Sequence, residues 1–337
     1  MRLTLLLVVA RVVARTGWYA SLRDADEPAC SDVLLEMQRG EWVHSAEVCE
    51  SSSRAARVLC STNQSVGYGT VDSRPVGLLW RPRACSLRIY DGAGACAVLQ
   101  RAGGVVVLGE SFERHLYMGL LNVLTDDYDE GALTHGGRLH GFSPSACRGE
   151  RQYNERDCRR HRDTRREPIA GCGGAEVVVY HDLSHAQHWE RRNLSALLRP
   201  RSTVLAGFGL HEDLNSSRVT SGLRSLLRAV AVFGPSREQQ PAVLWASRPA
   251  QGALKPHEFI KSQDNAHLIA FNEAMAAFSR ERGVEVYDWF RLSEGAHSFD
   301  GSHYGLHVNV LNAQLLLNYL ASRDDHPLNL KRPNRAI

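Results

Sequence analysis

Short apolar runs alternate with longer amphipathic stretches between residues 105 and 321. The runs have the length and β-branched character of strands buried on both faces, at 105–108, 176–180, 203–208, 242–246 and 284–287. Helix-compatible stretches lie between and after them, near 112–124, 185–198, 219–232, 264–281 and 308–321. Strands that alternate with helices predict parallel βαβ units, and hence a three-layer α/β/α fold around a mostly parallel sheet of about five strands.

The remaining segments suggest how the chain is divided. Residues 21–100 hold five of the eight cysteines and few long periodic segments, which predicts an irregular cysteine-rich region packed on the core. We expect the α/β domain to span 101–323 and a flexible, polar tail to follow at 324–337.

The first 20 residues predict a targeting segment. Arg2 precedes a short apolar run at 3–10, as in a secretory signal peptide or a short signal-anchor. Arg11 and Arg15 interrupt the apolar stretch, so it lacks the roughly twenty residues that a membrane-spanning helix needs. The sequence does not decide whether this leader is cleaved or tethers the protein to a membrane.

Cysteines and glycosylation sequons point in the same direction. The eight cysteines form an even set without paired CxxC zinc spacing, so we expect most of them in disulfides whose connectivity the sequence does not assign. Acceptor sequons occur at Asn63, Asn193 and Asn215. Together with the leader, they predict a protein of the secretory pathway, in the ER or Golgi lumen or outside the cell.

Charge excludes one class of partner. The formal net charge of +3 is too small to predict binding to nucleic acid. The local exception is 148–166, which is dense in arginine but interleaved with acids. This pattern favours a solvated charged loop over a patch that binds acidic ligands.

The residues GGVVVLGESFERH at 103–115 place a serine where a buried strand gives way to a helix. Gly109 permits a sharp turn, and Ser111 would then lie at the carboxyl end of the strand, where open α/β sheets bind ligands. A serine in this position also serves as a helix N-cap. This segment alone leaves both interpretations open.

The segment SFDGSHYGLHVN near the C-terminus contains Asp300 and His303. An Asp three residues before a His can hold its carboxylate against one imidazole nitrogen and leave the other nitrogen facing a serine. The segment follows the fifth predicted strand, so it should reach the same sheet edge as Ser111. A single Asp-x-x-His is a weak signal, because such pairs also bond each other on protein surfaces.

Together the two segments resemble the motifs of the GDSL/SGNH esterases. GES with the following Phe-Glu-Arg is similar to their Gly-Asp-Ser-Leu-x-Arg block, and DGSH is similar to their terminal Asp-x-x-His block. The segments CSDVLLEMQRGEWV (30–43) and LLWRPRACSLRIYD (78–91) narrow the resemblance to the PC-esterase group, which includes the trichome-birefringence-like polysaccharide O-acetyltransferases. Glu110 stands where the family has Asp, and DGSHYGLHVN lacks the tryptophans and cysteines of the plant acetyltransferases.

The resemblance implies a serine acyl-transfer enzyme, either an O-acetyltransferase or an acyl-esterase, that acts on carbohydrate hydroxyls of secreted or cell-surface glycans. Ser111 would be the nucleophile, His303 the general base and then acid, and Asp300 the group that holds the imidazole tautomer. The resemblance implies no cofactor. An acyl donor such as acetyl-CoA or an acetylated glycan would be a co-substrate.

The oxyanion of acyl transfer needs hydrogen-bond donors, and the backbone N–H of Ser111 is the first candidate. Gly109 beside it, and Gly209 and His211 after the third predicted strand, are further candidates, although the Gly-x-Asn-Asp pattern of the family is absent. Arg114, one helical turn after Ser111, could face the same cleft or form an ordinary ion pair.

Two other functions compete with this one. In YHDLSHAQHWE, His181, Asp182, His185 and His188 would suit zinc if His181 and His185 shared a helix face. His181 is instead predicted to end a strand, and the glutamate of an HExxH motif is missing, so we expect no metal and a polar loop or cleft lining. The other alternative is a non-catalytic glycan-binding protein of this fold, but the retained Ser, Asp and His favour an enzyme.

Overall fold

The computed structural model of the chain describes residues 20–21, 29–61, 77–134, 144–162, 172–234, 236 and 239–325. Three of the predicted features concern other residues and lie outside these ranges: the leader before Ala20, the sequon at Asn63, and the tail beyond Asp325.

Strands and helices alternate through most of the described chain. The strands are β1 (Ala20–Ser21), β2 (Glu41–His44), β3 (Leu78–Arg81), β4 (Arg88–Ile89), β5 (Val105–Gly109), β6 (Val178–Asp182), β7 (Thr203–Gly207), β8 (Ala242–Ala246) and β9 (Glu285–Tyr287). The α-helices are α1 (Val33–Arg39), α2 (Ala46–Cys49), α3 (Arg54–Arg57), α4 (Gly92–Arg101), α5 (Ser111–Leu124), α6 (Ala186–Arg191), α7 (Ser216–Ala231), α8 (His257–Gln263), α9 (Asn265–Glu281), α10 (Phe290–Ser293) and α11 (Leu306–Asp325). Short 3-10 helices lie at Pro144–Cys147, Gly149–Tyr153, Arg159–His161, Leu194–Leu197 and Leu210–Glu212.

A parallel sheet forms the centre of the protein, with the strands in the order β6-β5-β7-β8-β9. Helices cover both of its faces, so the predicted three-layer α/β/α fold is confirmed. The direction of strand succession reverses between β5 and β7. Open α/β sheets bind ligands outside the carboxyl ends of the strands at such a reversal.

The two faces of the sheet bury separate apolar cores. Val105 and Val107 pack on the side of α5 and α11, whereas Val106 and Leu108 pack on the side of α7 and α9. Successive side chains of a strand point to opposite faces, so a central strand covered on both sides must be apolar throughout. This requirement is why β5 could be predicted from an unbroken apolar run.

The N-terminal region docks onto α11 through side-chain amides. It adds two small antiparallel sheets, β1 with β4 and β2 with β3. Asn318 bonds both backbone groups of Arg88, and Gln314 bonds both backbone groups of Tyr90, over distances of 2.7–2.9 Å. These bonds supply partners for backbone groups at the edge of β4. The division at residue 100 stays a prediction, and α4 crosses it.

All eight cysteines are paired. The disulfides are Cys30–Cys85, Cys49–Cys60, Cys96–Cys172 and Cys147–Cys158. Disulfides persist in oxidising compartments, so this set indicates a secretory-pathway or extracellular protein. Within the described ranges, we find no helix with both the length and the apolar character needed to cross a bilayer.

Two of the sequons lie at the surface. Asn193 and Asn215 are both exposed. The side-chain oxygen of Asn215 also caps α7 by accepting the N–H of Arg218 at 3.1 Å. Glycosylation at these positions stays a prediction.

In residues 148–162 of the expected charged loop at 148–166, most arginines are exposed, but part of the segment packs into the protein. Gln152, Tyr153 and Arg162 are buried there, and the Cys147–Cys158 disulfide closes the segment. Tyr153 donates its hydroxyl hydrogen to Asn122 of α5 at 2.7 Å, which holds the segment against that helix. Glu155 of the segment pairs with Arg162 and with Arg114 of α5. A linear charge pattern carries no information on such pairing.

Candidate active site

The turn after β5 brings Ser111 to the carboxyl edge of the sheet. Gly109 lies so close to β7 that a Cβ atom on it would be 2.0 Å from the carbonyl oxygen of Gly207. Glu110 is the N-cap of α5, and Ser111 is its first helical residue. Ser111 is therefore not the cap of this helix, and its side chain has a different partner.

A buried charge cluster supports this turn. Arg248 Nη1 lies 2.5 Å from Glu110 Oε1, and its Nη2 lies 2.5 Å from Glu113 Oε1. The N–H of Glu110 donates to Glu113 Oε2 at 3.1 Å, and the N–H of Leu210 donates to Glu110 Oε1 at 3.3 Å. Burial raises the pKa of Glu113 to about 7, against the opposing charge and hydrogen bond of Arg248. The cluster thus joins the turn before Ser111 to the loop after β7.

The loop that carries Asp300 and His303 is held by its own carboxylate and by a neighbouring segment. Asp300 Oδ1 accepts the backbone N–H groups of Ser302 and His303, both at 2.9 Å. Gly301 has a φ of +82°, and a Cβ atom on it would lie 1.8 Å from the backbone nitrogen of Lys255. Lys255 Nζ donates to Ser302 Oγ at 2.9 Å. This packing requires glycine at the turn and fixes the Asp300 carboxylate.

Ser111, His303 and Asp300 form a continuous chain of hydrogen bonds. Ser111 Oγ lies 2.7 Å from His303 Nε2, and His303 Nδ1 lies 2.7 Å from Asp300 Oδ2. An ionised carboxylate only accepts, so Nδ1 carries the hydrogen and Nε2 accepts the hydroxyl hydrogen of Ser111. Burial acts to raise the pKa of Asp300, but the hydrogen bond and charge of His303 outweigh it and lower this pKa to about 2. In this geometry a histidine can remove a proton from a serine hydroxyl.

These three side chains open into a cavity of about 620 Å³. Its lining consists of hydroxyl, carboxylate, guanidinium and imidazole groups: Ser111, Arg114, Glu155, Arg156, Arg159, Asp182, Ser184, His185, His188, His211, Asp300 and His303. Arg114 and His211, two of the predicted candidates, are therefore in the cavity. Gly109 and Gly209 are not among the described lining residues, and a Cβ atom on Gly209 would lie 2.7 Å from the Phe271 ring. Oxyanion roles for these candidates stay predictions.

A charge network that the sequence did not predict lies beside His303. Glu155 Oε1 accepts hydrogen bonds from Arg114 Nη2 and His115 Nε2, both at 2.7 Å, and from Arg162 Nη1. Burial lowers the pKa of His115 to about 3, so this imidazole is neutral. Burial acts to raise the pKa of Glu155, but the His115 hydrogen bond and the Arg162 charge hold it well below its ordinary value. The rings of His115 and His303 have centroids 5.1 Å apart.

The sequence contained signals for part of this network and for Arg248 of the cluster beside Glu110 and Glu113. Arg114 and His115 lie three and four residues after Ser111, and such neighbours share a helix face. Arg248 follows closely after β8, at the sheet edge where ligands bind. Glu155 had no local signal, because its role depends on the burial of the 148–162 segment.

The histidines at 181, 185 and 188 are divided between the sheet and the cavity. His181 belongs to β6 and is buried, whereas His185 and His188 line the cavity with ring centroids 5.4 Å apart. Asp182 also lines it, with Oδ2 at 3.6 Å from Arg114 Nη1. Across the part of the chain that the structure describes, no three His, Cys, Asp or Glu side chains form a group able to hold a metal ion.

Comparison with known proteins gives limited likeness. No family model and no curated protein matches the chain significantly. Among solved structures, the chain is similar to a native aryl esterase from M. smegmatis, with a TM-score of 0.39, 14% identity, and coverage of 66% of this chain and 99% of that one. It is also similar to Est24, a carbohydrate acetylesterase from Sinorhizobium meliloti, with a TM-score of 0.35, 13% identity, and coverage of 43% of this chain and 78% of that one. At these values the likeness carries no inference about activity.

Proposed function

We propose that the protein is a serine acyl-transfer enzyme, an acyl-esterase or O-acyltransferase, that acts on carbohydrates of secreted or cell-surface glycans. The observation that supports the proposal is the unbroken hydrogen-bond chain from the Ser111 hydroxyl through His303 to Asp300. These three hydrogen-bonded side chains line a cavity at the edge where parallel α/β sheets bind ligands. The motif resemblance to GDSL/SGNH esterases of the PC-esterase group agrees with it.

In the first half-reaction, Ser111 Oγ forms a bond to the acyl carbonyl carbon while His303 Nε2 takes the hydroxyl proton. The carbonyl oxygen becomes an oxyanion, and the resulting imidazolium is stabilised by the Asp300 carboxylate. The tetrahedral intermediate collapses by breaking the bond to the alcohol oxygen, which takes the proton from His303. The products are an acyl-Ser111 ester and a free alcohol.

In the second half-reaction, a water molecule or a sugar hydroxyl gives its proton to His303 and attacks the acyl carbon. Collapse of this second intermediate returns the proton to Ser111 and releases a carboxylic acid or a new sugar ester. The same residues serve both outcomes. The resemblance to polysaccharide O-acetyltransferases favours transfer to carbohydrate.

The start of α5 is suited to stabilising the oxyanion. Its first N–H groups have no intrahelical partners, and the helix dipole favours negative charge at this end. Ser111 is the first residue of α5, so its backbone N–H lies beside the reacting oxygen. Each aligned donor contributes about 3 kcal/mol to stabilisation of the transition state.

The cavity suits a substrate rich in hydroxyl groups. Carboxylates, guanidinium groups and imidazoles dominate its lining, and they exchange hydrogen bonds with sugar hydroxyls. An alkyl chain would leave these polar groups without partners, which disfavours a fatty acyl substrate. The disulfides agree with a substrate in the secretory pathway or outside the cell.

The test is intact-mass spectrometry of the protein after brief incubation with p-nitrophenyl acetate or an acetylated sugar. We expect one acetyl adduct on Ser111, no adduct in Ser111→Ala, and turnover lowered at least ~1,000-fold in Ser111→Ala and His303→Ala. Ser184→Ala is the matched control, because Ser184 lines the same cavity. Undiminished turnover in Ser111→Ala would contradict the proposal. Loss of wild-type turnover when a chelator removes metal ions would contradict it as well.

A further inference from the structure

Glu155 is a cavity residue with a defined environment. It lies within the segment that the Cys147–Cys158 disulfide closes, and its side chain is 11% exposed. It lines the same cavity as Ser111 and His303. The reaction described above makes no use of this carboxylate.

The two carboxylate oxygens of Glu155 differ in their partners. Oε1 accepts hydrogen bonds from Arg114, His115 and Arg162. Oε2 forms an ion pair with Arg159 Nε at 3.9 Å, which is too long for a hydrogen bond. No described residue donates a hydrogen bond to Oε2. This oxygen is also absent from the fully buried atoms without a partner, so it is open to the cavity. One oxygen is therefore saturated, and the other is accessible and ready to accept a hydrogen bond.

The surrounding charges define which ligand group Oε2 can bind. The hydrogen bond from His115 and the charge of Arg162 keep the pKa of Glu155 low, so the carboxylate is ionised and can only accept. An anionic ligand group is excluded by repulsion at close range. A hydroxyl group of the substrate has the required donor hydrogen. Since three hydrogen bonds already hold Oε1, little rotamer entropy is lost when a ligand binds Oε2.

We propose that Glu155 is a specificity-determining residue whose Oε2 accepts a hydrogen bond from a hydroxyl adjacent to the acylated oxygen of the substrate. The inference rests on the proposed acyl-transfer function and extends it. The site selects acyl esters of polyols, sugars among them, over esters of alcohols without a neighbouring hydroxyl. A site built to bond a hydroxyl discriminates strongly against an analogue that lacks it, because the polar group is then left without a partner.

The experiment crosses two substrates with two proteins. The substrates are a monoacetylated methyl pentoside with a free hydroxyl on the neighbouring carbon, and its deoxy analogue without that hydroxyl. For the wild-type protein we expect kcat/KM to be roughly 10- to 100-fold higher with the hydroxylated ester. In Glu155→Gln this preference, taken as the ratio of kcat/KM for the two esters in the same variant, should fall below about 3-fold. Asp157→Asn, in the same segment, is the control that should keep the preference.

The outcomes separate this inference from the proposed function. A wild-type protein that hydrolyses p-nitrophenyl acetate without preferring the hydroxylated sugar ester would overturn only the role of Glu155. Equal losses on all three substrates in Glu155→Gln would mean that Glu155 only supports the fold. If that variant does not fold, Glu155→Asp is the second test, because it keeps the charge but moves the carboxylate away from the substrate. Retention of the full preference in Glu155→Asp would also overturn the inference. A wild-type protein without any acyl transfer would overturn the proposed function itself.

Discussion

At the scale of single residues, the hydrogen-bond partner of a histidine distinguishes the pair at Asp300 and His303 from other Asp-x-x-His pairs in the chain. The chain contains two other Asp-x-x-His pairs, Asp182 with His185 and Asp264 with His267, and in the second of these Asp264 Oδ1 lies 2.8 Å from His267 Nδ1. That pair has a geometry similar to Asp300 and His303, but its histidine side chain is 53% exposed, against 15% for His303. Among these pairs, all of which lie in the described residues, it is His303 whose second nitrogen meets a serine hydroxyl, that of Ser111.

We predict that Asp300→Asn lowers kcat about 10,000-fold with little change in KM, by analogy with the corresponding change in serine proteases. An amide at this position favours the wrong imidazole tautomer, so Nε2 no longer accepts the proton of Ser111. Steady-state kinetics with p-nitrophenyl acetate measures the effect. Asp264→Asn supplies the control, because it makes the same change in the surface pair. A comparable loss in both variants would refute the assigned role.

The pKa of Asp300 also predicts how stability depends on pH. Its value of about 2 in the folded protein lies below the ordinary aspartate value of about 4, so the folded state binds the proton less tightly than the unfolded state. The contribution of Asp300 is therefore fully present above about pH 4 and is lost as pH falls through about 2. Urea unfolding between pH 2 and 5 should show a smaller pH dependence for Asp300→Asn than for the wild-type protein.

At the scale of elements, the site is assembled where β5 and β7 end on either side of the reversal in strand order. Arg248, which follows β8, holds Glu110 and Glu113 at the start of α5. Glu110 in turn accepts the N–H of Leu210 in the loop after β7. The Glu110 side chain thus reaches both Arg248 and the backbone of Leu210.

We predict that Arg248→Met lowers the free energy of unfolding by about 3–5 kcal/mol, because it leaves two buried carboxylates without their cation. Chemical denaturation monitored by tryptophan fluorescence measures the change. Arg228→Met, on the exposed face of α7, should cost less than about 0.5 kcal/mol. A loss of similar size in both variants would contradict the role given to the cluster.

At the scale of the whole molecule, disulfides and side-chain amides hold the peripheral segments on the α/β core. Cys96–Cys172 joins residues 76 positions apart and ties α4 to the segment before β6. Cys147–Cys158 joins residues only 11 positions apart, but it encloses Glu155. We therefore expect the first bond to contribute more to stability, and the second to hold a wall of the cavity.

We predict that removing the first disulfide costs more stability, whereas removing the second costs more of the substrate preference. By loop-closure entropy, Cys96→Ala/Cys172→Ala should cost ~4.5 kcal/mol of unfolding free energy, and Cys147→Ala/Cys158→Ala ~3 kcal/mol. The second double variant should lose more of the preference for the hydroxylated ester, because Glu155 is less well held. Urea unfolding and the two-substrate comparison, both carried out without reductant, measure the two effects. The same order in both measurements would contradict the prediction.

The sequence by itself determined the order of the five central strands and of the main helices between and after them, the positions of Ser111 and of the Asp300–His303 loop, and the even set of cysteines. Hydrophobic periodicity and turn residues are local properties, so they can be recognised without knowledge of distant contacts. Only the tertiary structure decided which Asp-x-x-His meets the serine, since Ser111 and His303 are 192 positions apart. It also decided the disulfide pairing and the burial of Glu155 and Arg248. These depend on which segments pack together, and local patterns of charge and hydrophobicity do not specify that packing.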